Sequence, residues 1–283
     1  MYVRTASSWL LGVALVAGAA GCPKPRTSAA TQPTPAAFEP AQSDPKAIEV
    51  VDAGVAALGG AASWEKLKEL SFMISYKDGE EVKGQFQHSW DRWNGRHYFV
   101  TPIGSTLGGK PEDVQYQEVK YDLFDPDAKP WAASGGQVAG MRKDAEDLAK
   151  IARSRLSEDL YLIAIVHKLK DPGVKLSVDN AQVTVADSDK CQPSCTSIKV
   201  SFDPAVGKDT WYVNFNNDSK LPEVIEMQKG GGRIGYAIGG WTDAGGLKWP
   251  TKLQNLGLKA EVIEFSDIAV GEPEESTYIP TLQ

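Results

Sequence analysis

From Asp44 onward the spacing of apolar residues assigns an element to each stretch of chain. Ile48, Val51, Val55 and Leu58 fall on one helical stripe, with Asp44 as N-cap, Pro45 in the first turn and Gly59-Gly60 as the stop. Strand periodicity follows. Leu70, Phe72, Ile74 and Tyr76 alternate with polar or smaller residues, and Val82, Gly84, Phe86, His88 and Trp90 do the same. Asn94-Gly95, between two such runs, is a hairpin signal, because both residues tolerate the positive φ of a tight turn. A further strand is expected over 114–124. Helical periodicity then covers 140–170, with a break expected near Ser157 and a stop at Asp171-Pro172-Gly173. Strands are expected again over 174–178, 183–186, 196–202, 210–216, 223–228, 233–241, 247–256 and 260–269. Many alternating strands with short connections mean a large antiparallel sheet, and with the helices an α+β fold.

Phe72, Tyr76, Phe86, Trp90, Trp211, Phe215, Tyr236 and Trp249 all occupy the apolar phase of their strands. Two readings stay open: an ordinary core under helices, or a concave, partly filled face whose cavity accepts an acyl chain. His88 shares the face of Phe86 and Trp90, where a neutral imidazole would anchor a ligand's polar head or find a backbone partner in the core. The segment 160–167 has no polar face over two helical turns, so it is expected to be buried on both sides. Leu160, Ile163 and Val166 would make it either part of the core or a movable lid across the mouth of the sheet.

The N-terminus addresses the chain outside the cytoplasm. Arg4 precedes an apolar run from Trp9 to Ala20, shorter than the ~20 residues a membrane span needs. The run ends in Ala19-Ala20-Gly21-Cys22, which resembles the lipobox of bacterial lipoproteins, with Ala19 where Leu is usual. Residues 1–21 then form the signal peptide and Cys22 carries the lipid. A plain secretory signal or an uncleaved anchor is the alternative. Residues 22–43 are rich in Pro, Ala, Thr and Ser and are expected to be a disordered tether, with one domain over 44–283. With Pro23 after the lipidated position, the expectation is the outer membrane, facing the periplasm or the cell surface.

Three cysteines leave an odd one, which Cys22 accounts for. Cys191 and Cys195 lie in a polar segment between two alternating stretches, so a disulfide closing a short loop is expected. A metal site would need further Cys or His at ligand spacing, and a redox pair is more often Cys-x-x-Cys.

The 283 residues hold 30 basic and 37 acidic side chains. Only Arg4, Lys24, Arg26 and Glu39 of these precede residue 44, so the remainder is the more acidic part. That balance argues against nucleic acid and against electrostatic docking on anionic lipid. Gly104 to Lys110 has the spacing of a phosphate loop, but Pro111 stands where the Mg²⁺-binding hydroxyl belongs. Gly230-Gly231-Gly232-Arg233 reads as a hairpin turn, and pairs such as Glu80-Glu81 and Glu274-Glu275 as solvated turn charges. The histidines form no H-E-x-x-H, and no G-x-S-x-G elbow occurs. No catalytic residue, metal or cofactor is expected.

Three passages carry a family resemblance. They are Ala57-Leu-Gly-Gly-Ala-Ala-Ser-Trp64 with Leu67 and Leu70; Asn216-Asn-Asp-Ser-Lys-Leu-Pro222; and Gly246-Leu-Lys-Trp-Pro-Thr-Lys-Leu253 with Val262 to Asp267. Together, over roughly 46–280, they resemble the LolA/LolB-like lipoprotein-localisation carriers and receptors and the related outer-membrane lipoprotein-sorting proteins. The chain departs from that family in its Cys-x-x-x-Cys loop and proline-rich tether. The resemblance implies a strongly curved antiparallel sheet, a half-barrel, with helices packed across its concave face as a lid. It also implies an apolar cavity that binds, receives or passes on a lipid or the acyl chains of a lipoprotein. The aromatic positions named above, with His88, would line it. The alternative is a non-transporting structural or regulatory lipoprotein that uses the same fold to hold a protein partner.

Overall fold

The computed structural model describes residues 38–103, 114–125, 127–138, 142–179, 191, 195–204, 209–229, 231–258 and 260–280. The signal peptide, Cys22, most of the tether, the glycine turn at 104–110 and the strand expected at 183–186 lie outside the described residues. Helix α1 (Pro45–Ala57) starts as its sequence dictates: the Asp44 carboxylate accepts the Lys46 N–H, and Pro45 fills the first turn. Gly59 and Gly60, at φ +109° and +88°, end it and lead into the short α2 (Ala61–Lys66). Described residues before Asp44 already belong to the folded unit. Within the expected tether, Phe38 packs on the core under the Lys170 ammonium, and Ser43 Oγ accepts the Leu176 N–H at 3.0 Å.

Six strands then run in sequence: β1 (Glu69–Asp78), β2 (Glu81–Asp91), β3 (Arg96–Pro102), β4 (Tyr116–Asp122), β5 (Trp131–Ser134) and β6 (Gln137–Val138). Helix α3 (Arg142–Ala164) follows, continued by a 3₁₀ turn over Ile165–Lys168. A second run comprises β7 (Val174–Asp179), β8 (Cys195–Phe202), β9 (Trp211–Asn216), β10 (Pro222–Lys229) and β11 (Gly232–Ile238). After it come β12 (Trp241–Ala244), β13 (Leu247–Pro250), β14 (Lys252–Asn255), β15 (Glu261–Gly271) and the short α4 (Glu275–Tyr278). Thirteen strands make one open antiparallel sheet in the order β6-β5-β4-β3-β2-β1-β15-β14-β11-β10-β9-β8-β7. Strands β14 and β15 join its two halves, and β12 pairs only with β13.

The reach of α3 shows that this sheet is curved. Ala145, Ala149 and Ala152 pack on Val119 and Tyr121 of β4, while Tyr161 stacks on Trp211 of β9 at 6.1 Å. On a flat sheet β4 and β9 would stand nearly 40 Å apart at ~4.8 Å per strand. The helix covers only ~18 Å between Ala149 and Tyr161 at 1.5 Å per residue. The sheet therefore wraps the helix as a half-barrel, and α1 lies on its β7–β8 end. There Gly54 lets α1 approach closely, since a Cβ would meet the Phe215 ring at 2.3 Å.

Some expected boundaries move. Helix α3 runs through Ser157 without a break. The strand expected over 233–241 ends at Ile238, because Gly239-Gly240 turns the chain, Gly240 at φ +87°. The stretch 247–256 divides at Thr251 into β13 and β14, which serve different sheets. The short β5, β6 and α2 carry too few residues to show a period.

Candidate functional site

On the concave side the buried stripe of α3 is Ala145, Ala149, Ala152, Leu156, Asp159, Leu160 and Ile163, spaced by three, four or one residues. A carboxylate on that stripe needs partners, since burying one unpaired costs several kcal/mol. Asp159 is fully buried and has three. His88 Nε2 donates to Oδ2 at 3.0 Å, Tyr76 Oη to Oδ1 at 2.5 Å, and the Arg155 guanidinium pairs with Oδ1. Behind His88 stands His97, also fully buried, with His88 Nδ1 and His97 Nε2 3.1 Å apart. His97 Nδ1 in turn meets Tyr121 Oη at 2.7 Å. Five side chains from β4, β3, β2, α3 and β1 thus form one buried hydrogen-bonded chain.

Its electrostatics follow from burial. Desolvation lowers the pKa of His88, offset in part by Asp159, and lowers that of His97 further, with the His88 charge adding to it. Both imidazoles are neutral at physiological pH. Burial and the neighbouring carboxylate push the Tyr76 phenol up, so it stays a donor.

Beside this chain, between α3 and the sheet, opens a groove of about 510 Å³. Arg155, Tyr161 and Leu162 line it from the helix, and Tyr76, Trp211, Met227, Tyr236 and Ile263 from the sheet. Glu158, Asp209 and Gln228 give it a polar rim. A second hollow of about 320 Å³, lined by Lys77, Lys83 and Glu261 among others, shares Tyr76, Tyr236 and Ile263 with it.

The expected cavity lining divides. Tyr76, Trp211 and Tyr236 line the groove. Phe72, Phe215 and Trp249 are packed in the core at 1%, 1% and 0% exposure, and His88 is enclosed with them. Phe86 stacks on Phe99 beneath Arg155, and Trp90 is half-buried against the core. These six fill volume and line neither hollow; the sheet residues of the groove come from β8–β11 with Tyr76 of β1 and Ile263 of β15. Leu160, Ile163 and Val166 likewise belong to the core, and their neighbours Glu158, Tyr161 and Leu162 face the groove. His88 has a side-chain partner on each ring nitrogen, not a backbone one.

Asp159, Arg155 and His97 were not anticipated. The signal for Asp159 was present: it stands three residues after Leu156 and four before Ile163, inside an apolar stripe. A third histidine, His167, stacks on Trp64 at 5.0 Å, and its ring nitrogens are buried without a partner among the described residues.

Cys191 and Cys195 are bonded to each other, with Cα atoms 5.0 Å apart. Among the described residues no cluster of His, Cys, Asp and Glu suits a metal ion, and no helix is long and apolar enough to cross a membrane.

No protein-family model and no curated protein matches the chain. Among solved structures it is similar to a DUF1329 family protein from Desulfovibrio piger ATCC 29098, at 14% identity and a TM-score of 0.44. That alignment covers 84% of this chain and 100% of the other. It is also similar to MucB in complex with MucA(peri), at 10% identity and a TM-score of 0.22, over 83% of this chain and 60% of that one. Likeness at these levels carries nothing about activity.

Proposed function

We propose that this chain is a binding protein of the bacterial envelope that takes the acyl chain of a lipid or lipoprotein into the groove between α3 and the sheet. The groove carries the reading. Its volume of about 510 Å³ lies within the ~300–1,000 Å³ range of small-molecule sites. Apolar walls from Tyr161, Leu162, Trp211, Met227 and Ile263 meet a polar rim, which suits an amphipathic molecule with its head toward water. The LolA/LolB-like sequence passages point the same way. The lipobox-like Ala19-Ala20-Gly21-Cys22 supports anchoring by lipid on Cys22, in the outer membrane and facing the periplasm or the cell surface. On this reading the chain binds and does not catalyse.

One observation favours a protein partner instead: the centre of the concave face is packed, with Phe72, Phe215 and Trp249 enclosed. Mass spectrometry of lipids co-purified with the chain separates the two. Stoichiometric acyl lipid supports the first reading, and lipid-free protein that captures a polypeptide supports the second.

A further inference from the structure

The cation lining the groove, Arg155, is engaged by the protein itself. One terminal nitrogen meets Glu158 at 3.1 Å, the other pairs with the buried Asp159, and the guanidinium lies 4.7 Å from the centre of the Tyr76 ring. Against this one cation the lining carries two carboxylates, Glu158 and Asp209. Asp209 is exposed and has no ion pair among the described residues. Cations close by are matched in the same way. Lys168 is held by Asp171, and in the adjoining hollow Lys77 and Lys83 are held by Glu264 and Glu81. The groove is therefore acidic, and an anionic head would enter it against that charge.

Each of the two carboxylates stands next to an aromatic ring. Glu158 lies three residues before Tyr161 on α3, one turn away, and Asp209 lies two residues before Trp211, at the entry to β9. Tyr161 and Trp211 stack on each other at 6.1 Å, so the helix and the sheet bring both pairs to one place. Tyr236 lines the groove beside them. Aromatic faces attract cations through their quadrupole, and the protein already sets Lys168 5.4 Å from the centre of the Tyr161 ring. Rings with carboxylates at their edge suit an ammonium group, above all a methylated one.

On the reading that the groove holds an acyl chain, we propose that it selects an amphiphile whose head ends in an ammonium group, as in an amine- or choline-headed phospholipid. The ammonium sits at the Tyr161–Trp211 stack, held by Glu158 and Asp209, with the chain along Leu162, Met227 and Ile263. Amphiphiles with an anionic head bind more weakly.

Calorimetric titration of the full chain at low salt tests this with probes of one chain length, decyltrimethylammonium and decanoate, each below its micelle concentration. Both should bind, the ammonium at least ~10-fold more tightly. Equal affinities, or tighter binding of decanoate, would overturn the ammonium preference and leave the acyl groove standing. Binding of neither would overturn the groove reading and this proposal with it. Asp209→Asn separates a built site from the general attraction of an acidic chain, with Asp243→Asn as the control, because Asp243 is exposed on β12 and lines neither hollow. The ammonium-to-carboxylate preference should fall at least ~3-fold in Asp209→Asn and persist in Asp243→Asn. A preference that falls equally in both variants, or in neither, would overturn the proposal.

Discussion

His88 and Asp159 join strand β2 to helix α3 through a 3.0 Å hydrogen bond in which neither side chain has any solvent exposure. Such a pair is costly to form and costlier to break. Replacing Asp159 by Ala strands His88, Tyr76 and Arg155 together, and removing one member of a buried ion pair costs about 3–5 kcal/mol. Denaturant midpoints should show a loss of that size for Asp159→Ala and a smaller one for Asp159→Asn, which keeps the acceptor toward His88.

His167 confers an acid sensitivity. Burial, with Arg92 adding to it, holds its pKa down to about 4, below the unfolded value of about 6.5. The neutral ring is the folded form. Its stability is complete above about pH 6.5 and is lost as pH falls toward 4, which amounts to about 2 kcal/mol by pH 5. His167→Phe keeps the stacking on Trp64 and removes the titration, so its unfolding free energy should change less between pH 7 and 5 than that of the wild type.

Gly54 faces Phe215, which is 1% exposed and cannot yield. Alanine gains about 1 kcal/mol of helix propensity, but overpacking costs ~1–3 kcal/mol. Gly54→Ala should therefore lower the melting temperature, and an unchanged or raised value would show that α1 can shift outward.

The Cys191–Cys195 bond closes a short loop, worth about 2 kcal/mol on the chain-entropy account. Intact-mass analysis with alkylation should find these two thiols only after reduction. Cys191→Ser with Cys195→Ser should lower stability by about that amount.

How far the sequence could be read follows from which residues obeyed a period. Alternation at Leu70, Phe72, Ile74 and Tyr76 sufficed for β1, and Asp44-Pro45 with Gly59-Gly60 for α1. Where a glycine or proline interrupts an alternating run, as at Gly239-Gly240 and Pro250, the period continues although the chain changes sheet. Packing was harder to read. The same apolar phase serves Phe72 in the core and Trp211 at the groove, because which of them meets a helix depends on where α3 crosses the curved sheet. The chain through His97 and Asp159 stayed hidden because its members are 62 residues apart in sequence and become neighbours only through tertiary packing.

Titration of the chain with a fluorescent fatty acid tests the central claim most directly, with Leu162→Arg in the groove and Ile151→Arg on the exposed side of α3 as the pair of variants. The account predicts saturable binding by the wild type and by Ile151→Arg. It predicts a loss of at least ~10-fold, about 1.4 kcal/mol, in Leu162→Arg at an unchanged melting temperature. A wild type that binds no acyl probe would contradict it, as would a Leu162→Arg variant that keeps its fold and binds as the wild type does.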